Sequence, residues 1–337
     1  MTKYSKIIQQ AKRRINTYEG LGSYDKDKFK PLCEKHRQDI TIAILDEFDM
    51  YGKSLPAGNT LLHNIDNISQ ERLSHIINTF LLGIYLYDKI HKIKENIDIQ
   101  LSDALAKARH DFTFLWFLIC LYHDLGYSEE VDNVDPDWTY QDKHLGSIVA
   151  VPKVYKEIYK YYFLYRKFEH NKIDHGLYAG LTMYHDLCEI RTKKKWCKSL
   201  KKIYNLASWV VLAHNIWFVK DNDIEKCKTY HKYHLEQLIL KTNTNNGQNE
   251  IADYPIKLSQ HPLLFLFCLV DLIEPMKRIG CMDCCDKIDF RITKNKLIIK
   301  SSLDFISGQE YIKNIASAND WLVKTEKNDN TVTIPLA

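Results

Sequence analysis

Five apolar segments of this chain each carry side chains that can bind a metal ion. These side chains are His75, His123 with the adjacent Asp124, His175, His214 and Asp271. A single buried histidine is most often a hydrogen-bonded core residue, but a carboxylate inside a segment as apolar as LFLFCLVDLIEP is rarely buried without a partner. Because the feature recurs along the chain, we expect these side chains to converge on metal ions, as ligands do in helical bundles.

The types of ligand narrow the choice of metal. The set contains imidazoles and carboxylates but no thiolate, which favours Mn, Fe, Co, Ni or Zn over Mg. His123 and Asp124 are the most informative pair, because they directly follow the nearly uninterrupted apolar run of residues 112–122. Both side chains are costly to bury unless something satisfies them. A divalent transition metal is therefore the predicted cofactor.

The segments that carry these residues are predicted to be buried helices. In SQERLSHIINTFLLGIYLYDK the apolar residues recur at helical spacing. Residues 112–122, IYNLASWVVLAHNIWF and HPLLFLFCLVDLIEPMKR are apolar on most sides, which is typical of helices inside a protein. The predicted fold class is mainly α, a helical bundle with a small α+β C-terminal appendage. The predicted domains are an N-terminal helical extension (1–65), a metal-binding helical domain (66–282) and an α+β tail (283–337).

The tail has a different pattern from the body. KIDFRITKNKLIIKSSL alternates between apolar and polar residues around a turn at Asn295, which predicts a β-hairpin. WLVKTEKNDNTVTIPL predicts a second hairpin, and a short helix at about residues 308–318 is expected between the two. The tail packs on the body, lines the substrate entrance or forms a dimer contact. These alternatives stay open, so a homo-oligomer is among the expectations.

Composition limits the classes of function. The formal net charge of +4 over 337 residues is weak, and no basic stripe is evident, so a long nucleic-acid groove is disfavoured. The longest apolar runs, residues 112–122 and 262–273, fall short of the roughly 20 residues that span a bilayer. The first residues lack the apolar core of a signal peptide, and the nine cysteines are an odd number. We expect a cytoplasmic protein that does not bind membranes.

The order His … His-Asp … Asp on successive helices resembles the HD-domain phosphohydrolase superfamily. His75, His123, Asp124 and Asp271 match its four signature positions. DHGLYAG, VVLAHNIWF and LFLFCLVDLIEPMKR also look like helices of HD proteins, and the resemblance covers about residues 69–280. It implies an HD-type bundle and the hydrolysis of a phosphoester by metal-activated water. With the weak net charge, the substrate is expected to be a nucleotide or another small phosphorylated molecule.

The resemblance also implies a role for each ligand. A first ion is held by His75, His123, Asp124 and Asp271. Asp124 bridges to a second ion, which His175 and His214 complete. His123 and Asp124 are therefore the expected catalytic residues. His63, just upstream, is an alternative to His75 as the first ligand, although His75 fits better because it lies within the amphipathic helix.

One position departs from the pattern of the superfamily. Many members read HD-x-G-K, with the lysine near the phosphate, whereas this chain has Tyr127 at that position. A tyrosine can donate a hydrogen bond but carries no fixed charge, so another cation is expected at the phosphate. Lys277 and Arg278 are the best candidates because they closely follow Asp271. The further candidates are Lys143, Arg166 and Lys172.

Three other functions remain open. Because Tyr127 stands in place of the lysine, one alternative is a catalytically degenerate HD domain that binds a nucleotide as a signalling module. An HD-type nuclease shares the same ligand set, although the weak charge disfavours it. A di-iron oxygenase uses the same types of ligand, and iron-dependent colour with oxygen uptake would distinguish it.

Overall fold

A computed structural model of the chain describes the residues in twelve stretches. They are 2–16, 70–108, 112–132, 164–168, 171–173, 175–193, 200–215, 256–259, 261–279, 282–303, 305–316 and 322–336. His63 and Lys143 lie outside them. The protein is mostly helical over these stretches, with a small antiparallel sheet built mainly from its C-terminal part. This confirms the coarse fold class that the sequence predicts.

The helices are labelled here in chain order. They are α1 (Tyr4–Asn16), α2 (Gln70–Lys89), α3 (His91–Ala108), α4 (Phe112–Tyr122), α5 (His175–Lys193), α6 (Leu200–Ala213), α7 (Pro262–Ile273), α8 (Pro275–Ile279), α9 (Met282–Cys285) and α10 (Phe305–Ala316). A short 3-10 turn, Leu125–Glu129, follows α4.

Helices α4 and α7 form the centre of the body, and every residue of both is buried. Their sequences explain this placement, because a helix that is apolar on all sides is stable only when other elements surround it. Helix α7 begins at Pro262, which suits the first helical turn because proline has no N–H to donate there. Trp116 of α4 donates a hydrogen bond to the Phe80 carbonyl of α2 at 3.0 Å, so the one polar atom of this large ring is satisfied.

The larger sheet is built from five strands, β1 (Thr2–Lys3), β4 (Ile288–Ile292), β5 (Lys296–Ser301), β6 (Glu326–Asn328) and β7 (Thr331–Pro335). Their order in the sheet is β1-β4-β5-β7-β6, and every neighbouring pair is antiparallel. Pairing of β4 with β5 and of β6 with β7 confirms the two predicted hairpins, and α10 confirms the helix between them. Strands β2 (Val131–Asp132) and β3 (Lys172–Ile173) form a separate two-stranded ribbon.

The body and the tail share one hydrophobic core. Tyr4 of α1, Phe117 of α4 and Ile334 of β7 belong to the same cluster of buried side chains. Strand β1 reaches the tail from the other end of the chain and pairs with β4, with Thr2 opposite Phe290. The domain boundaries at residues 65 and 282 stay predictions. Among the described helices, none has the length and the apolar character needed to cross a bilayer.

Candidate metal centre

The fold brings all six predicted ligands to the centre of the body. Each lies within a helix or at a helix end, and each is buried. His75 is in α2, His123 and Asp124 directly follow α4, His175 begins α5, His214 directly follows α6, and Asp271 is in the last turn of α7. The buried helices that the sequence predicts thus present these side chains to a common region, which is the arrangement a metal site requires.

The tightest group consists of His75, His123 and Asp271. One potential ligand atom from each lies within 4.8 Å of the other two, and all three side chains are buried. Nε2 of His75 is 2.9 Å from Oδ1 of Asp271, and Nε2 of His123 is 3.8 Å from the same oxygen. Two imidazoles and a carboxylate in this arrangement can hold a metal ion.

The ring of His75 is oriented by Glu274, which follows α7. Nδ1 of His75 hydrogen-bonds to Oε2 of Glu274 at 2.9 Å. A carboxylate on the outer nitrogen of a ligating histidine fixes the ring and increases its basicity. Burial and the charge of Lys277 oppose protonation of His75, but hydrogen bonds to Asp271 and Glu274 outweigh them and raise its pKa to about 9.

His123 and Asp124 each direct a buried polar atom without a hydrogen-bond partner towards this group. Nδ1 of His123 donates to the carbonyl of Cys120 at 2.8 Å, so Nε2 carries the lone pair. Neither Nε2 of His123 nor Oδ1 of Asp124 finds a hydrogen bond within the described part of the chain, and the two atoms are 3.2 Å apart. Burial lowers the pKa of His123 to about 3. Since orphaned buried atoms are costly, this pair fits a metal ion.

The carboxyl of Asp124 is held in its charged form. Burial by itself would raise its pKa, but His123, Lys277, His75 and His175 together lower the pKa well below its ordinary value. A carboxylate that is ionised and has a free oxygen is a good ligand for a divalent ion. Asp124 also lies between the tight group and His175, whose Nε2 is 4.0 Å from Oδ1 of Asp124.

His175 and His214 form the second side of the centre. Nδ1 of His214 donates to the Val211 carbonyl at 2.5 Å, which leaves Nε2 to face Nε2 of His175 at 3.3 Å. Burial and His175 lower the pKa of His214 to about 4. The amide of Asn215 also lies 3.0 Å from Nε2 of His175. These two rings are adjacent but do not belong to the tight group.

The turn after α4 is pressed against the start of α5. A Cβ atom at Gly126 would lie 2.1 Å from the carbonyl oxygen of His175, so only glycine permits this approach. The approach stacks the Tyr127 ring on the His175 ring at a centroid distance of 3.7 Å and an angle of 17°. Tyr127 thus covers one face of His175.

Arg72 is a further cation near these side chains, and the sequence did not predict it as a phosphate-binding residue. Its guanidinium lies 3.1 Å from the centroid of the Tyr127 ring, and its Nη1 is 3.9 Å from Oδ2 of Asp124. The side chain is 37% exposed, so it reaches solvent from the rim of the centre. The available signal was its spacing, because a residue three positions before His75 shares the same face of the helix.

The predicted cations lie in different environments. Nζ of Lys277 is 2.7 Å from Oδ1 of Asp271, within the centre, whereas Arg278 is exposed. Lys172 pairs with Oε1 of Glu130 at 2.5 Å, and Oε2 of that glutamate lies 3.7 Å from Nδ1 of His175. Glu130 was not among the site residues predicted from the sequence. Of the two favoured cations, Lys277 alone lies at the centre in the described part of the chain.

These features define a mainly helical protein with a buried group of His75, His123 and Asp271 that can hold a metal ion. No family model, curated protein or solved structure matches the chain. Any assignment of function therefore depends on the residues and the geometry of the centre itself.

Proposed function

We propose that this protein is a metal-dependent phosphohydrolase of the HD-domain type that acts on a nucleotide or another small phosphorylated substrate. The observation that carries the proposal is the pair of orphaned buried atoms, Nε2 of His123 and Oδ1 of Asp124, beside the His75–Asp271 pair. Two buried polar atoms without hydrogen-bond partners are costly unless a cation compensates them.

The proposal assigns two ligand sets, which the resemblance to HD proteins implies. In the proposal, the first ion takes His75, His123, Asp124 and Asp271. The second takes Asp124, His175 and His214, with Asp124 shared between the two sets. The position of Oδ1 of Asp124 supports the sharing, since it is 3.2 Å from Nε2 of His123 and 4.0 Å from Nε2 of His175. Imidazole with carboxylate suits Mn, Fe, Co, Ni or Zn.

When bound, such ions supply Lewis-acid activation of a water molecule and of a phosphoryl oxygen. The residues of the chain do the rest. Asp124 stays ionised because its pKa is held low. Its Oδ1 faces His123 on one side of the centre and His175 on the other. Phe267 packs edge-on against the rings of His123 and His214, at centroid distances of 5.2 and 5.6 Å, and excludes bulk water behind them.

The phosphate is bound at the rim in this proposal. Arg72 supplies the fixed positive charge that Tyr127 does not, because the guanidinium rests on the Tyr127 ring and reaches solvent. A guanidinium suits this role because its N–H groups match the oxygens of a phosphate. Lys277 provides a second positive charge deeper in the centre. The ring of Tyr127 positions Arg72 and shields His175.

The test is hydrolysis by the purified, metal-loaded protein. Protein loaded separately with Mn, Fe, Co, Ni or Zn is assayed against nucleoside mono-, di- and triphosphates, cyclic nucleotides, a short oligonucleotide and p-nitrophenyl phosphate. Asp124→Asn should lower kcat by more than about a hundredfold, which exceeds the usual effect of losing an outer partner of a ligand.

His185 and Asp186 are a second adjacent His-Asp pair in the chain, and Asp186 provides the matched control. Asp186 lies within α5 and accepts a hydrogen bond from Tyr122 at 3.2 Å, and Asp186→Asn keeps an oxygen that can accept that bond. This variant should retain activity. Tight binding of a nucleotide without turnover in any metal would favour the degenerate signalling module. If Asp124→Asn matches wild type, the proposal is wrong.

A further inference from the structure

Tyr4, near the N-terminus, reaches a carboxylate that supports the metal centre. Its hydroxyl donates to Oε1 of Glu274 at 2.9 Å, across 270 positions of sequence. Both side chains are completely buried. Oε2 of the same carboxylate binds Nδ1 of His75 at 2.9 Å. A single buried carboxylate therefore joins the N-terminal helix to a predicted metal ligand.

Glu274 has a full set of hydrogen bonds. Oε1 accepts from Tyr4 and from the N–H of Met276, and Oε2 accepts from His75 and from the N–H of Lys277. A carboxylate offers about four lone-pair positions, so this one has none to spare. Loss of the Tyr4 donor would leave Oε1 with a single hydrogen bond in a buried site, and the carboxylate could then rotate away from His75.

Tyr4 is itself held firmly in place. The preceding residues form β1, which pairs with β4 so that Thr2 lies opposite Phe290. The Tyr4 ring lies 6.1 Å from the Phe290 ring, and the N–H of Ser5 donates to Asp286 at 2.9 Å. Burial and the charge of Glu274 raise the pKa of Tyr4 well above its ordinary value, so the hydroxyl keeps its proton and donates.

We propose that Tyr4 is a positioning residue of the metal centre, which fixes the ring of His75 by way of Glu274. The inference deepens the proposed metal-dependent function and rests on it. It also gives the N-terminal segment a role at the centre, because β1 and the start of α1 deliver the hydroxyl. Outer hydrogen-bond partners of ligands commonly change metal affinity ten- to hundredfold, and a donor one bond further out should have a smaller effect.

The probe is Co²⁺, whose visible absorption reports the geometry of its ligands. Wild type, Tyr4→Phe and Tyr311→Phe are titrated, each as the full chain. Tyr311 is the matched control, since its buried hydroxyl donates to the carbonyl of Ile273 at 2.7 Å, one residue before Glu274. Tyr4→Phe should weaken Co²⁺ binding by about three- to tenfold and shift the spectrum. Tyr311→Phe should keep the affinity and spectrum of wild type.

A double-mutant cycle tests whether Tyr4 acts through Glu274. In a Glu274→Gln background, Tyr4→Phe should cause no further loss of Co²⁺ affinity, because coupled residues do not act additively. Additive losses would contradict the proposal. Thermal unfolding of each variant checks that the loss of affinity is not a loss of folded protein.

The outcomes separate this inference from the proposed function. If wild type binds none of Mn, Fe, Co, Ni and Zn, both are wrong. If wild type binds Co²⁺ and Tyr4→Phe behaves like Tyr311→Phe, the inference alone is wrong. Should Tyr4→Phe fail to fold, 3-fluorotyrosine is placed at position 4 and the protein is titrated with Zn²⁺. Its fluorine resonance is expected to shift with metal occupancy, and a resonance that does not move overturns the inference.

Discussion

The two sides of the candidate metal centre differ in how firmly their histidines are held. On the first side, the two nitrogens of His75 bind Asp271 and Glu274, each at 2.9 Å. On the second side, Nδ1 of His175 makes no hydrogen bond in the described part of the chain, and its nearest carboxylate, Glu130, is 3.7 Å away. The comparison indicates a preorganised first side and a more adaptable second side, so the first ion should bind more tightly.

The largest expected effect on metal affinity comes from replacing Glu274 on the first side, compared with Glu130 on the second. Glu274→Gln should weaken binding of the tighter ion by about ten- to hundredfold, because the ring of His75 loses its carboxylate partner. Glu130→Gln is the matched substitution on the second side. It should change binding of the weaker ion by less than about threefold, since Glu130 makes no close hydrogen bond to His175.

Competitive titration with a chelating dye measures both affinities, and denaturant unfolding checks the fold of each variant. Equal effects of the two substitutions would remove the distinction between the sides.

The pH dependence of metal binding sharpens the same comparison. The pKa of His75 is raised to about 9, so below that pH its ring carries the proton that an ion must displace. His123 and His214, with pKa values lowered to about 3 and 4, are already neutral at neutral pH. Affinity on the first side should therefore rise about tenfold per pH unit from about pH 6 to pH 8 and level off above about pH 9.

Calorimetry in buffers of different ionisation enthalpy counts the protons released, and about one is expected at pH 7. In Glu274→Gln the slope should level off at a lower pH, because one of the two carboxylates that raise the pKa of His75 is gone. A slope of zero in wild type would contradict the assignment of His75 as a ligand.

A smaller effect is expected at the rim. Arg72→Ala should raise KM by about three- to tenfold with little change in metal content, because a charge-assisted contact to the phosphate is lost from a partly exposed site. Arg278→Ala removes an equal charge from an exposed position and should leave KM unchanged. Steady-state kinetics with the best substrate of the panel distinguishes them. If Arg72→Ala has the KM of wild type, Arg72 does not bind the phosphate, and Lys277 is then the cation expected to bind it.

Local patterns were enough to predict much of this fold. The apolar periodicity of α2 and the nearly unbroken apolar runs of α4 and α7 depend on residues near each other in sequence, and so do the hairpins of the tail. The convergence of His75, His123 and Asp271 was predicted because each is costly to bury without a partner. These features could be derived without knowing how the helices pack.

Contacts between distant segments were not predictable in the same way. Tyr4 lies 270 positions from Glu274, and its neighbouring sequence carries no sign of that hydrogen bond. Arg72 rests on Tyr127 only because the turn at Gly126 presses against α5. The addition of β1 to the tail sheet likewise depends on the way the chain ends meet.

The most direct measurement is the number of metal ions per chain, determined by elemental analysis of protein purified without chelator. Wild type is compared with His75→Ala, which removes a ligand of the first side, and with His214→Ala, which removes one of the second. Wild type should hold close to two ions, His214→Ala about one tightly bound ion, and His75→Ala only weakly bound metal. A wild-type chain that holds no ion, even after reconstitution with Mn, Fe, Co, Ni or Zn, would contradict the metal centre.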